Sequence, residues 1–263
     1  MAAERSPPPS PPSPLPPRTL HVRALIATPT FELDVDFTAP PGVTVLFGPS
    51  GSGKSTTLAA IAGLARPAAG RIALGDAAWF DAAAGIDVAV HKRRVAYVFQ
   101  SLALFPHLTA AQNVSYGMPR ELGHAARHDK AVALLDRLHV AHLAPRKPPT
   151  FSGGEAQRVA LARALAIDPH VILLDEPFSA LDRDLRIELI AELRDSLRGL
   201  GAPVLFVTHH RQEARALGER LVVLEAGRVI RTGTVDDLGP PRDATRDMSF
   251  DETPLDPDAI APR

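Results

Sequence analysis

Apolar and polar positions recur with two periods along this chain. "HVRALIA" (21–27) and "FELDVDF" (31–37) alternate residue by residue, as half-buried strands do. "VTVLF" (43–47) is a continuous apolar run, the pattern of a strand covered on both faces. A Gly-rich turn follows, and "KSTTLAAIAGLA" then reads as a helix. "RIAL" (71–74) and "RVAYVF" (94–99) are further strands. From Leu108 to about Lys147 the spacing turns helical, with Val132, Leu135 and Leu138 on one face. "EAQRVALARALA" is a helix that must stop before Pro169. "VILLD" and "APVLFVTH" are buried strands, and "LVVLEAGRVIRTG" is a hairpin turning at Ala226-Gly227. Buried strands alternating with helices predict an α/β fold, a mostly parallel sheet with helices on its faces. No internal repeat interrupts this order.

Composition sets the limits of that domain. "SPPPSPPSPLPP" (6–17) is too rich in proline for helix or ladder, so residues 1–18 are expected to be a disordered arm. Residues 240–263 are polar and Pro-rich and read as a tail, leaving a domain over 19–239. With 29 basic and 30 acidic residues, the net charge of −1 argues against a broad nucleic-acid face. The chain has no cysteine, which excludes disulfides, thiolate metal sites and cysteine nucleophiles. No apolar run approaches the roughly 20 residues that span a bilayer, and the N-terminus lacks a secretory core. A soluble, cytoplasmic protein is expected, with any membrane contact made through a partner.

"GPSGSGKST" (48–56) brings in the first chemistry. It fits G-x-x-x-x-G-K-[ST] between a buried strand and a helix. Its glycines let backbone N–H groups face phosphate oxygens, and the positive helix end adds attraction. Lys54 can reach the β- and γ-phosphates, and Ser55 can ligate Mg²⁺. Asp175 ends the apolar run "VILLDEP", where a metal-holding acid is needed. Glu176, next to it, could orient or deprotonate an attacking water. Kinases, GTPases and helicases share this loop, and these features do not separate them.

"TFSGGEAQRVALARAL" (150–165) carries a second Gly-rich turn at a helix start. One triphosphate is already wrapped by the first loop. The second turn could bind another anion, simply start a helix, or face the γ-phosphate held by another copy. The order "GPSGSGKST", Gln100 in "YVFQ", "FSGGE", "VILLDEP", "SALD" and "VTHH" resembles the ATP-binding subunits of ATP-binding-cassette (ABC) transporters, from about Thr19 to Leu238. That resemblance implies a P-loop NTPase fold of ABC type. Its mostly parallel core would carry an antiparallel β subdomain and a helical subdomain over about 101–165. It also implies a homodimer sandwiching two ATP molecules with Mg²⁺. Gly48, Pro49, Ser50, Gly51, Ser52, Gly53, Lys54, Ser55 and Thr56 would hold phosphate and metal. Gln100 would sense Mg²⁺ and the γ-phosphate, Asp175 would serve the metal, and Glu176 the water. Ser152, Gly153 and Gly154, with Glu155 following, would grip the partner's γ-phosphate. Asp182 would cross the interface, and His209, rather than His210, would contact the γ-phosphate. Integral membrane permease subunits, and through them a substrate-binding protein, are the implied partners. "SLALFPHLT" (101–109), apolar and broken by proline, suits the docking of a short partner helix. The implied location is the inner face of the cell membrane.

Residues 91–118 are similar to importers of oxyanions, sugars and metals, and most like those for molybdate. The likeness lies in "KRRV.YVFQ..LFPH", "N..YGM" and Glu155, where many relatives have Gln. Importers of sulfate, iron, sugar or polyamine, and soluble ABC ATPases acting on nucleic acid or ribosomes, are the alternatives. The chain departs from the pattern at Phe151, usually Leu, and in having no Tyr or Trp to stack on adenine; Phe31 is the nearest aromatic. The stretch after Leu238 is too short for a core of its own, so anion sensing by this chain is not expected. The charge run at 92–94 reads as a solvated face. The pairs His124/His128 and His139/His142 read as surface residues.

Overall fold

The computed structural model describes residues 18–27, 31–179, 181–197, 199 and 201–239. The Pro-rich arm, up to Pro17, and the tail at 240–263 lie outside the described residues. Eleven strands form one sheet: β1 (Leu20–Ala27), β2 (Glu32–Ala39), β3 (Gly42–Phe47), β4 (Ala69–Leu74), β5 (Ala77–Asp81), β6 (Ile86–Asp87), β7 (Val95–Val98), β8 (Val171–Asp175), β9 (Pro203–Thr208), β10 (Arg220–Glu225) and β11 (Arg228–Thr234). The order β6-β5-β4-β1-β2-β11-β10-β3-β9-β8-β7 divides it in two. β10, β3, β9, β8 and β7 run parallel. β2, β1, β4, β5 and β6 run antiparallel. The halves meet where β11 touches β2 in a single register pair, Arg228 with Asp34.

Alternation within the parallel strands builds two cores. Val204 and Phe206 of β9 and Ile172 and Leu174 of β8 enter one apolar cluster. Leu205, Val207, Val171 and Leu173 enter the other. The second cluster is closed by α1 (Lys54–Ala62) and by the antiparallel strands, through Leu58, Ile61, Leu33, Val35 and Trp79. The first is closed by α2 (Ala110–Ser115), α3 (His124–Arg137), α4 (Gly153–Leu165), α5 (Arg183–Leu197) and α6 (Arg211–Leu217). β8 and β9 are thus buried on both faces, which explains their nearly continuous apolar sequences.

The hairpin turns at Ala226 (φ 45°) and Gly227 (φ 79°), two left-handed residues as a two-residue hairpin loop requires. Other elements escape the pattern. β5 and β6 are short, and their surroundings are rich in alanine, which carries no period. α1 ends at Ala62, three residues before its apolar pattern, because Gly63 takes φ 82° and caps it. The run 92–94 is not a uniformly solvated face. Lys92 and Arg94 are exposed, but Arg93 is 1% exposed and points inward. Its guanidinium donates to Ala60 O (3.0 Å), Ile61 O (2.9 Å) and Val88 O (2.8 Å) and pairs with Asp87. A cation at the negative end of α1 satisfies carbonyls the helix cannot.

Candidate functional site

The phosphate loop runs from the end of β3 into α1. Gly48 has no room for a side chain: a Cβ there would lie 2.1 Å from Leu224 O of β10. Gly53 (φ 102°) turns the chain into the helix, and a Cβ on it would strike Leu33 at 2.5 Å. Phe31 lies against the same glycine and against Gly227. Pro49, Ser50 and Gly51 are exposed at the tip, Ser52 is buried below it, and Thr56 is half-buried in the first helical turn. Lys54 is 5% exposed; its Nζ donates to Gly48 O (2.9 Å) and Pro49 O (2.8 Å). Burial pulls its pKa down, while Glu176 and Asp175 oppose that shift.

β8 lies two places from β3, with β9 between them, and delivers its acids to the loop. Ser55 Oγ donates to Asp175 Oδ1 (2.9 Å), and the Tyr97 hydroxyl, from β7, donates to Oδ2 (3.1 Å). Burial raises the Asp175 carboxyl, partly offset by these two bonds. Burial and the neighbouring Asp175 push the Tyr97 phenol up. An acid so placed stabilises a cation beside it. The all-oxygen donors of Ser55 and Asp175 suit a hard ion that also takes phosphate oxygens, so these residues fit Mg²⁺. Among the described residues no cluster of three His, Cys, Asp or Glu side chains could hold a metal alone.

Glu176 sits at φ 44°, a strained conformation for a non-glycine residue. Its amide donates to Val207 O (3.1 Å), and its carboxylate accepts from Nδ1 of His209 (3.2 Å), just beyond β9. The His210 ring lies 4.1 Å from that of His209. Burial first, and then the neighbouring His209 and Arg186, lower its pKa to about 4, so it adds no charge at neutral pH.

The remaining sequence candidates lie apart from this cluster. Gln100 is exposed and donates to Ser179 Oγ (3.3 Å), not to Ser55 or Asp175. Ser152 caps α4 through a reciprocal pair: Glu155 N donates to Ser152 Oγ (3.3 Å), and Ser152 N to Glu155 Oε2 (2.7 Å). That backbone bond is the main reason the Glu155 carboxyl is held low; its other oxygen meets His142 at 3.2 Å. Gly153 and Gly154 lie against Leu181 and Leu185, and a Cβ on Gly154 would come 2.8 Å from Leu185. Asp182 is exposed and accepts from Leu185 N (3.0 Å) at the start of α5. Arg158 of α4 grips Glu192 of α5 with two bonds (2.8 and 3.0 Å) and Glu188 with a third.

The loop after Gln100 is tightly held. Leu102 and Ala103 are left-handed (φ 58° and 46°), and both carbonyls accept from Arg163 at the far end of α4 (2.7 Å each). Buried Asn113 of α2 accepts from Phe105 N (2.8 Å) and donates to the carbonyls of Phe105, Leu108 and Thr109. Beside it lies a groove of about 600 Å³ lined by His107, Leu108, Tyr116, Arg127 and His128 among others. Among the described residues, no helix is long and apolar enough to cross a membrane.

A strand-to-helix phosphate loop, an acid pair ending the strand two places away, and a separate capped Ser-Gly-Gly turn define an ATP-binding-cassette architecture. The chain belongs to the ABC transporter family, whose model matches residues 33–179. Among curated proteins it is similar to the molybdenum import ATP-binding protein ModC of Methylococcus capsulatus, with 48% identity over 81% of this chain and 59% of the relative. It is likewise similar to ModC 1 of Azotobacter vinelandii, with 44% identity over 79% of this chain and 58% of the relative. The chain therefore spans about three-fifths of the length of these relatives. Its fold matches a solved dimer of the ATP-binding cassette MJ0796 in a post-hydrolysis state bound to ADP and Pi. That match has a TM-score of 0.70 and 29% identity, covering 82% of this chain and 98% of that one.

Sequence reading missed Tyr97 as the second donor to Asp175, and Asn113 as the clasp of the loop. For Tyr97 the signal was its place on a strand beside "VILLD". For Asn113 it was a buried polar residue among apolar positions at helical spacing.

Proposed function

We propose that this chain is the ATP-hydrolysing subunit of a membrane importer for molybdate-type oxyanions, working as two copies around two ATP molecules. One observation carries the reading. The first phosphate loop has its acids and histidine at hand, while the Ser152 turn is built as a helix start and packs on Leu181 and Leu185. A turn so placed is available to a triphosphate held by a second copy. A similar cassette solved as a dimer bound to ADP and Pi supports the two-copy reading.

The residues divide the work. Backbone N–H groups of 50–56 and the Lys54 ammonium bind the phosphates, the ammonium exchanging its carbonyl partners for phosphate oxygens. Ser55 and Asp175 would hold Mg²⁺, and Gln100 would join them only by leaving its bond to Ser179. When bound, Mg²⁺ would supply positive charge that offsets the charge of the triphosphate. Glu176 orients the attacking water and takes its proton, and the bond to His209 fixes its direction. His209 stabilises charge developing on the γ-phosphate. Ser152, Gly153 and Gly154 bind that phosphate from the other copy, with Asp182 crossing the interface and Glu155 holding the turn in shape. Permease subunits would dock at 101–109 and the adjoining groove, which belong to a helical subdomain over about 101–165. A substrate-binding protein would deliver cargo to the permease. The chain would then sit on the inner face of the membrane through its partners. The molybdate assignment rests on the 48% and 44% identities to molybdenum import proteins.

The test is Glu176→Gln. It should bind ATP, accumulate as a dimer in sizing experiments and lose at least about a hundredfold in turnover, the scale of a general base. Full turnover would remove Glu176 from its role, and a monomer with ATP bound would remove the two-copy site. Molybdate and tungstate should stimulate ATPase activity in vesicles carrying the cognate permease and binding protein; sulfate stimulating instead would overturn the substrate assignment.

A further inference from the structure

Behind His209 lies a buried polar chain that the proposed chemistry leaves unused. Thr208 ends β9 and is 1% exposed; its hydroxyl donates to Glu213 Oε2 at 2.6 Å and accepts from His210 N at 3.0 Å. These two bonds fix the backbone on either side of His209. Glu213 lies in the first turn of α6 and is itself buried. Its Oε1 has no hydrogen-bond partner among the described residues and faces Arg186 Nη1 at 3.7 Å, an ion pair. Arg186 also donates to Leu181 O (2.9 Å), and its amide donates to Asp182 O (3.0 Å). Leu181 in turn lies 3.3 Å from the Cβ position of Gly153. One contiguous path runs from the Ser-Gly-Gly turn through 181–182 and Arg186 to Glu213, Thr208 and the His209 backbone.

Burying a carboxylate is costly, and this one is raised by desolvation. Helix α6 has no side-chain cap from His210, so Glu213 could be explained as a first-turn acid serving the helix dipole. That role needs neither burial nor a partner on α5. We infer that Arg186 and Glu213 are positioning residues that couple the 181–182 segment to His209, so that contact made at Asp182 sets the histidine. The inference rests on the proposed two-copy site, in which Asp182 meets the second copy and His209 the γ-phosphate.

The experiment is a double-mutant cycle on ATP turnover with Glu213→Gln, Arg186→Met and the double variant, each first shown to be folded by thermal melting. Glu213→Gln keeps an acceptor for Thr208 while removing the charge. Each single change should lower kcat at least about tenfold with KM within about twofold, since a small misplacement of a reacting group costs that much or more. The double variant should be no worse than the poorer single, because the pair acts as a unit. Additive losses, or unchanged kcat with lowered stability, would overturn the coupling and leave Glu213 a helix-end acid. Should Glu213→Gln not fold, Arg186→Met carries the test, since Arg186 is only half-buried. The same substitutions in a Glu176→Gln background separate the two ideas. Absence of an ATP-dependent dimer in Glu176→Gln alone defeats the two-copy site. A dimer there, together with normal kcat in Glu213→Gln, defeats only the coupling.

Discussion

Arg93→Met probes how the phosphate-loop helix is anchored. The substitution keeps a long apolar stem but removes every donor. Four interactions go: those to Ala60 O, Ile61 O, Val88 O and Asp87. They differ in weight. Ala60 O retains a bond from Gly63 N (3.1 Å), and Asp87, 41% exposed, returns to water. Ile61 O and Val88 O are left without the guanidinium, at about 1–3 kcal/mol each for orphaned buried acceptors. Escape from guanidinium desolvation offsets part, so the net loss should be about 2–4 kcal/mol. For a domain of this size that lowers Tm by roughly 5–15 °C. Urea denaturation followed by far-UV circular dichroism gives the free energy, and a melting curve gives Tm. The geometry supplies a second check. A Cβ on Gly63 would lie 2.8 Å from the guanidinium carbon, so Gly63→Ala should destabilise the parent more than the Arg93→Met background. A change below about 0.5 kcal/mol in Arg93→Met, the level of an ordinary surface substitution, would refute the capping argument.

Further outcomes follow from other parts of the molecule. Asn113→Ala should cost about 2–4 kcal/mol by urea titration, since it releases several bonds to the 105–109 loop, and should weaken association with the permease in pull-down. Ser152→Arg should leave ATP binding to the monomer intact and abolish turnover; wild-type activity would contradict the composite site. His210 has a folded pKa of about 4, below its ordinary 6.5. Its stabilising contribution is therefore full above about pH 6.5 and is lost as pH falls toward about 4. Discounted for partial exposure, that is about 1–2 kcal/mol, and His210→Asn should flatten the urea midpoint across this window.

Local chemistry was legible in the sequence, and long-range chemistry was not. The phosphate loop, the acid pair and the Ala226-Gly227 turn are written in contiguous residues whose backbone needs are distinctive. The strands of the parallel half announced themselves by apolar runs, because burial on two faces leaves no room for polar alternation. Arg93 looked like one of three surface cations; only the approach of the α1 C-terminus, some 30 residues earlier in the chain, gives it partners. Tyr97 and Asp175 are 78 residues apart and meet because β7 and β8 pair in parallel. Arg186 and Glu213 join α5 to α6, and no local period records such a pairing. Gln100 and the Ser152 turn were readable by resemblance, yet within one chain they lie apart from the Ser55–Asp175 pair.

α4 behaves as a stiff pushrod. At about 1.5 Å per residue its 13 residues measure roughly 20 Å. Ser152 stands at one tip, and Arg163, near the other, clasps the carbonyls of Leu102 and Ala103. A rod so clamped cannot swing at its glycine tip without dragging the 102–103 bend along. In the proposed assembly, displacement arising at a phosphate would be carried along this rod to the 102–103 bend, with no need for any intervening segment to unfold.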